Sequence, residues 1–125
     1  SKATDFEFEP FASTLQKCER YFVSYGGNST FEWIAVGSNV GSTTFDGVIH
    51  FPTTMRIDPT LAVSANSHWN VFDGTVDTTS GWSNIEGSPK HGGIRCTTSS
   101  QTVGNCSRLY ANSTTAARMT FDAEL

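Results

Sequence analysis

The sequence predicts a mostly β protein, an antiparallel β-sandwich of jelly-roll type with one short N-terminal α-helix packed on it. Three observations carry that expectation. From residue 30 onward, short runs of β-branched and aromatic residues are broken by Gly, Pro, Asn and Asp turn signals, with no alternation of strand-like and helix-like segments that would build a parallel sheet. Ser and Thr are abundant and Phe outnumbers Leu, a balance suited to pleated surfaces with aromatic packing between them. Only the N-terminal stretch has apolar residues at helical spacing. With 125 residues, 13.6 kDa and 37% hydrophobic residues, the chain fits a single domain over 1–125 that can bury a core.

Taken in order, residues 1–11 form an extended lead-in. Phe6 and Phe8 alternate with Glu7 and Glu9, as in a short edge strand that Pro10 stops. The helix is expected over 12–25. Ser13 and Gln16 have the S-x-x-Q spacing of a capping box, and Leu15, Cys18 and Phe22, with Tyr21 beside them, form an apolar stripe that Gln16, Lys17, Glu19 and Arg20 avoid. Gly26-Gly27-Asn28 ends it. So short a helix is unstable alone, so its stripe should dock on the sandwich of residues 30–125.

The first core strand is expected at 30–36, closed by Gly37-Ser38-Asn39, and the second at 45–51, closed by Pro52. Pro52 and Pro59 bracket a bend holding Met55 and Arg56, so an eight-residue connection should join the second strand to a third at 61–65. Residues 69–73 alternate again and end in an Asp73-Gly74 turn. The segment 75–93, rich in Thr, Ser, Gly and Asn, reads mostly as loop. Strands follow at 93–98 and 106–111, and 115–125 closes the chain with Ala117, Met119 and Phe121 on one face. About seven strands result.

Composition excludes several functions. A net charge of −4 with eight scattered basic residues leaves no patch to neutralise phosphates, so no nucleic acid is expected as partner. No apolar run is long enough for membrane insertion. Three cysteines permit at most one disulfide. The simpler reading is three reduced, core-facing thiols; the alternative is a Cys96–Cys106 bridge across a hairpin. No zinc spacing occurs, and Asp73 and Asp77 in DGTVD miss the calcium-loop spacing and read as turn formers, so no metal or cofactor is expected. His50, His68 and His91 stand in no catalytic motif, and Asp46, Asp58, Asp73, Asp77 and Glu86 form no recognisable acid pair, so an enzyme is not expected.

What remains is surface. Trp69, Trp82, Tyr110, His68 and His91, with Asn66, Asn70, Asn84 and Lys90, lie in or beside irregular segments. Aromatic faces beside amides can stack on sugars and fix their hydroxyls. The competing reading places the tryptophans in the sandwich core.

Three phrases occur in order: ATDFEFEPFASTLQKCERYF at 3–22, F-P-x-x-M-R-x-x-P at 51–59 followed by a strand and S-A-N, and the terminal DAEL at 122–125. In this order the chain resembles the C-terminal, host-facing domain of tail-fibre and related virion proteins of tailed bacteriophages. Glu19 stands where those chains usually carry glutamine, and Phe22 where tyrosine is common. The resemblance implies a virion location in a tail or head fibre and a homotrimer attached to other virion proteins. It also implies non-enzymatic binding of a host cell-surface glycan or protein through loops, with Arg20 pairing to Glu7, Glu9 or Asp122 as scaffold. The alternative it leaves is a structural knob that binds no receptor; a glycan-cleaving enzyme is the remotest reading.

Overall fold

In the computed structural model, which describes residues 10–124, ten strands pair entirely antiparallel into two sheets. A helix α1 (Phe11–Glu19) precedes β1 (Phe22–Tyr25), β2 (Trp33–Gly41), β3 (Thr44–His50) and β4 (Thr60–Val63). A 3-10 turn at Asn66–His68 leads into β5 (Trp69–Phe72), followed by β6 (Val76–Thr78), β7 (Gly81–Asn84), β8 (His91–Thr97), β9 (Cys106–Ala111) and β10 (Met119–Asp122). The large sheet has the order β6-β5-β9-β2-β3-β8-β7, and the small one β1-β10-β4. The antiparallel β-sandwich expected from the sequence is what the chain forms, with layers of unequal size.

The period-two alternation of the strands decides which face is buried. On β3, Phe45 and Ile49 point inward, on β8 Ile94 and Cys96, on β9 Leu109 and Ala111, and on β5 Trp69 and Val71. The small sheet contributes Met119 and Phe121 from β10 and Val23 from β1. The two edges of the large sheet are linked at one corner by the chain itself. Edge strands β6 and β7 are joined by Thr79 and Ser80 alone; the Thr79 N–H donates to Trp69 O on β5 (3.2 Å) and the Ser80 N–H to Thr97 O on β8 (2.9 Å). Two consecutive residues thus tie β5 and β8, which lie near opposite ends of the sheet order, although β6 and β7 do not pair with each other.

Polar side chains fasten the connection after β8. Asp77, on β6 and almost fully buried, accepts hydrogen bonds from Ser99 Oγ (2.7 Å), Ser99 N (3.3 Å), Ser100 N (2.8 Å) and Gln101 Nε2 (2.7 Å). Burial pushes its carboxyl up, but the bonds from Gln101, Ser99 and Ser100 outweigh burial and hold it below the usual carboxylate range. Buried Asn39 donates to Asp73 Oδ2 and Thr102 O and accepts from Ser107 Oγ, so its amide is satisfied on both sides.

Several expectations are corrected. The helix begins at Phe11 after Pro10, with no side-chain cap; Ser13 and Thr14 donate their backbone N–H to Pro10 O, so the capping box at Ser13 and Gln16 is not used. It ends at Glu19, and Phe22–Tyr25 forms β1, because β10 offers these β-prone residues a complete ladder from Phe22↔Asp122 to Tyr25↔Met119. The helix stripe is not buried: Leu15, Cys18, Tyr21 and Phe22 are exposed, as is Phe11. The helix instead meets the sandwich at its C-terminal end, where Glu19 accepts from Thr53 Oγ1 (3.1 Å) and Arg20 O from Arg56 N (2.8 Å). The expected Phe6–Glu9 strand, the partners Glu7 and Glu9, and Leu125 lie outside the described residues. Asp122 turns its Oδ1 to the Glu124 N–H rather than to Arg20.

Gly37-Ser38-Asn39 does not stop β2 but runs through it. A Cβ on Gly37 would lie 1.9 Å from Asp46 O, so glycine marks a close strand approach rather than a turn. β3 and β4 are not paired; the 51–59 segment carries the chain from one sheet to the other. The 75–93 segment is not loop but holds β6, β7 and the start of β8.

The Cys96–Cys106 bridge is excluded. β2 and β3 intervene, placing β8 and β9 about 14 Å apart along the sheet, and Cys96 faces the core while Cys106 faces out. All three thiols are free, but only Cys96 is core-facing, its pKa pushed up to about 12 first by burial and then by Asp46. A maleimide is therefore expected to label Cys18 and Cys106 in the native protein, with Cys96 labelled only after denaturation, as intact mass would record.

Candidate functional site

The outer face of the large sheet gathers aromatic residues around one cation. On β9 the outward positions are Cys106, Arg108 and Tyr110, alternating with buried Ser107, Leu109 and Ala111. Register sets their neighbours: Tyr110 pairs with Trp33 on β2 and Asn70 on β5, and Arg108 pairs with Val36 on β2 and Phe72 on β5. A bulge between Trp33 and Ala35 shifts β2 by one residue and brings the indole toward Arg108. The Arg108 guanidinium lies 4.4 Å from the Trp33 ring centre, 4.5 Å from Phe72 and 6.0 Å from Tyr110. Three ring faces so disposed hold a planar cation in one orientation. Trp33 is nevertheless 64% exposed.

Beside these rings runs a shallow groove of about 420 Å³, lined by Trp33, Val36, Phe72, Gly74, Ser107 and Arg108. Asp73 also borders it, but its oxygens accept from Thr75 N, Thr102 N and Asn39 Nδ2. The bond from Thr102 is the main reason its carboxyl is held below the ordinary value. Val36 continues into a second groove of about 570 Å³ that includes Val40, Val48, Ile85 and His91. At that groove Asp46 is already paired in a fork with Arg95, both contacts 2.8 Å.

The residues singled out in the sequence are dispersed. Trp69 is wholly buried in the core and offers no face to a ligand; its Nε1 has no partner. Trp82 is half-buried at the edge of the core, its ring edge-on to Trp69 at 5.8 Å and its Nε1 donating to Asn66 Oδ1 (3.1 Å). For these two tryptophans the core-filling reading is the better one. Asn66 also donates to Ser80 O, in the link between β6 and β7. Asn84 donates to Pro59 O and accepts from Gly93 N, clipping β4 to the edge of the large sheet. Asn70 is buried and accepts from Thr78.

Two of the three histidines are also occupied: His68 Nδ1 meets Ser64 Oγ (3.0 Å) and His91 Nδ1 meets Ser88 Oγ (3.1 Å). Lys90 is exposed on the β7–β8 connection. Trp82, Asn84, Asp58, Thr60 and Ser83 do share a polar cleft of about 400 Å³ between β4 and β7, but the amides that should fix sugar hydroxyls there are consumed by the fold.

Of the expected set, Tyr110 lies on the aromatic face, with Asn70 beside it in register but buried. Trp33, Phe72 and Arg108 were missed because each reads as an ordinary strand residue. Only the alternation of Cys106, Arg108 and Tyr110 against Leu109 hinted at an outward row, and nothing in the sequence pairs that row with Trp33. Among the described residues no cluster of three or more His, Cys, Asp or Glu could hold a metal ion. Nor, among the described residues, is any helix long and apolar enough to cross a membrane. No family model, no curated protein and no solved structure matches this chain.

Proposed function

We propose that this domain is a non-enzymatic, host-facing part of a tailed-phage virion fibre that binds a cell-surface glycan through the outer face of its large sheet. The observation that carries the reading is Trp33, a tryptophan 64% exposed on a strand and held against Arg108. Large exposed aromatics cost solubility, and a rigid, flat ring beside polar groups suits the apolar C–H face of a pyranose. The three ordered phrases at 3–22, 51–59 and 122–125 supply the virion assignment. A non-enzymatic role is supported by Asp46 and Asp77, whose carboxylates are already engaged, in the Arg95 pair and in the bonds to Ser99, Ser100 and Gln101.

In this reading the copies associate as a homotrimer through exposed Phe11, Leu15, Tyr21 and Phe22 at the helix and β1, which leaves the Trp33 face free. Three weak sites then act together on a cell surface. The other reading, a structural knob without a receptor, draws on Val36, Val40 and Val48, which extend the exposed apolar surface beside Trp33 and would suit a contact between copies.

Trp33→Ala separates the two. Loss of one stacked ring is worth about 1.4 kcal/mol, or roughly tenfold per site. Labelled Trp33→Ala is expected to adsorb to host cells at least that much more weakly, with wild-type melting temperature and solution mass. Unchanged adsorption removes the face from the receptor site; a loss of oligomer with the ring gone favours the knob.

A further inference from the structure

We infer that the ligand class of the Trp33 face is an acidic carbohydrate, whose carboxylate is taken by Arg108 while its ring lies on Trp33; this rests on the glycan-binding reading above. The argument begins with what Arg108 lacks. Among the described residues its guanidinium forms no hydrogen bond and no ion pair, although it is half-buried and clamped by Trp33 and Phe72. Arg95, on the same face two strands beyond β2, shows the contrast: both of its contacts to Asp46 are 2.8 Å, so its fork is filled. The carboxylate that lines the groove, Asp73, is turned to Thr75, Thr102 and Asn39 and does not pair with Arg108.

A guanidinium stacked by its faces keeps its edge N–H groups for a ligand in the plane, and that edge matches a carboxylate with two parallel bonds. Because the rings already fix the plane, little side-chain freedom is lost on binding. The groove of about 420 Å³ beside it accommodates a sugar residue, and Trp33 provides the apolar platform. The selectivity must be local, since a chain of net charge −4 does not attract anions at long range. A uronate or sialate unit presents both required groups, a ring C–H face and a carboxylate attached directly to the ring. A neutral hexose presents only the first.

The test is a panel of uronate- and sialate-containing oligosaccharides, each with its carboxyl-reduced counterpart, titrated against the full chain and against Arg108→Gln and Arg108→Lys. Wild type is expected to bind at least one acidic member roughly tenfold or more above its reduced form, as for a charge-assisted pair. Arg108→Gln is expected to bring that ratio to about one, and Arg108→Lys to retain part of it, because the ammonium keeps the charge without the fork. A purely structural role for Arg108 would weaken both forms equally and leave the ratio unchanged. Equal binding of both forms by wild type, or a ratio that survives Arg108→Gln, overturns the inference. Binding of neutral host polysaccharide alone overturns it while the adhesin reading stands; no binding to any glycan sinks both.

Discussion

Phe121→Ala is expected to lower the stability of the domain by about 3–5 kcal/mol, the cost of removing a wholly buried ring from a core that cannot collapse around the gap. Phe121 sits at the centre of β10, flanked by β1 and β4, and is where the two sheets meet. Its ring lies edge-on to Phe51 at 4.9 Å and to Tyr25 at 6.1 Å. It also occupies the space over Gly92 on β8, where a Cβ would come within 2.5 Å of it. Alanine forfeits all of these contacts at once, and glycine cannot fill the void. The midpoint of thermal unfolding should fall by roughly 10–20 °C for a chain of this size. A decrease of only a few degrees would mean that the small sheet contributes little to the cooperative unit.

Asp77→Asn should cost about 2–3 kcal/mol at neutral pH, because the asparagine amide turns an N–H₂ toward donors that now meet a carboxylate. The change keeps size and shape, so the loss reports the charge and its bonds rather than packing. The sign of its pH dependence follows from the depressed carboxyl. In the unfolded chain the group titrates near 3.8, and in the folded chain lower. The contribution is therefore fully present above about pH 4–5 and fades as pH falls through the folded value. Denaturant titrations of wild type and Asp77→Asn should differ most above about pH 5 and converge as pH falls below the unfolded value and through the lower folded one. A gap that stays constant in acid would show that the carboxylate is not the stabilising form. Asp73, depressed chiefly by the Thr102 bond, adds to the acid sensitivity of the wild type in the same direction.

Both residues illustrate what could be read in advance. Phe121 was visible as a core residue, since Ala117, Met119 and Phe121 alternate in a closing segment and all three are buried. Asp77 was legible only as a turn former. Its real partners, Ser99 to Gln101, lie more than twenty residues away, and no local pattern announces a bond of that span. The same distance rule explains the site. Tyr110 is conspicuous in the sequence because it is an aromatic beside an irregular segment. Arg108 gained its meaning only from Trp33 and Phe72 on neighbouring strands.

By itself the sequence determined the class of the fold, its antiparallel character, and most strand positions, because alternation and turn residues act over a few neighbours. The strand at 106–111 falls where it was expected, and those at 45–51, 61–65 and 69–73 match to within one or two residues at each end. Only the tertiary structure decided the rest. It made Phe22–Tyr25 a strand by offering β10 as a partner, and drew strands from the polar 75–93 segment by giving them edges to join. It separated Cys96 from Cys106 by two strands, and placed Trp69 inside and Trp33 outside. Each of these outcomes depends on which strand lies beside which, and the pairing energy that decides it comes from residues far apart in the chain.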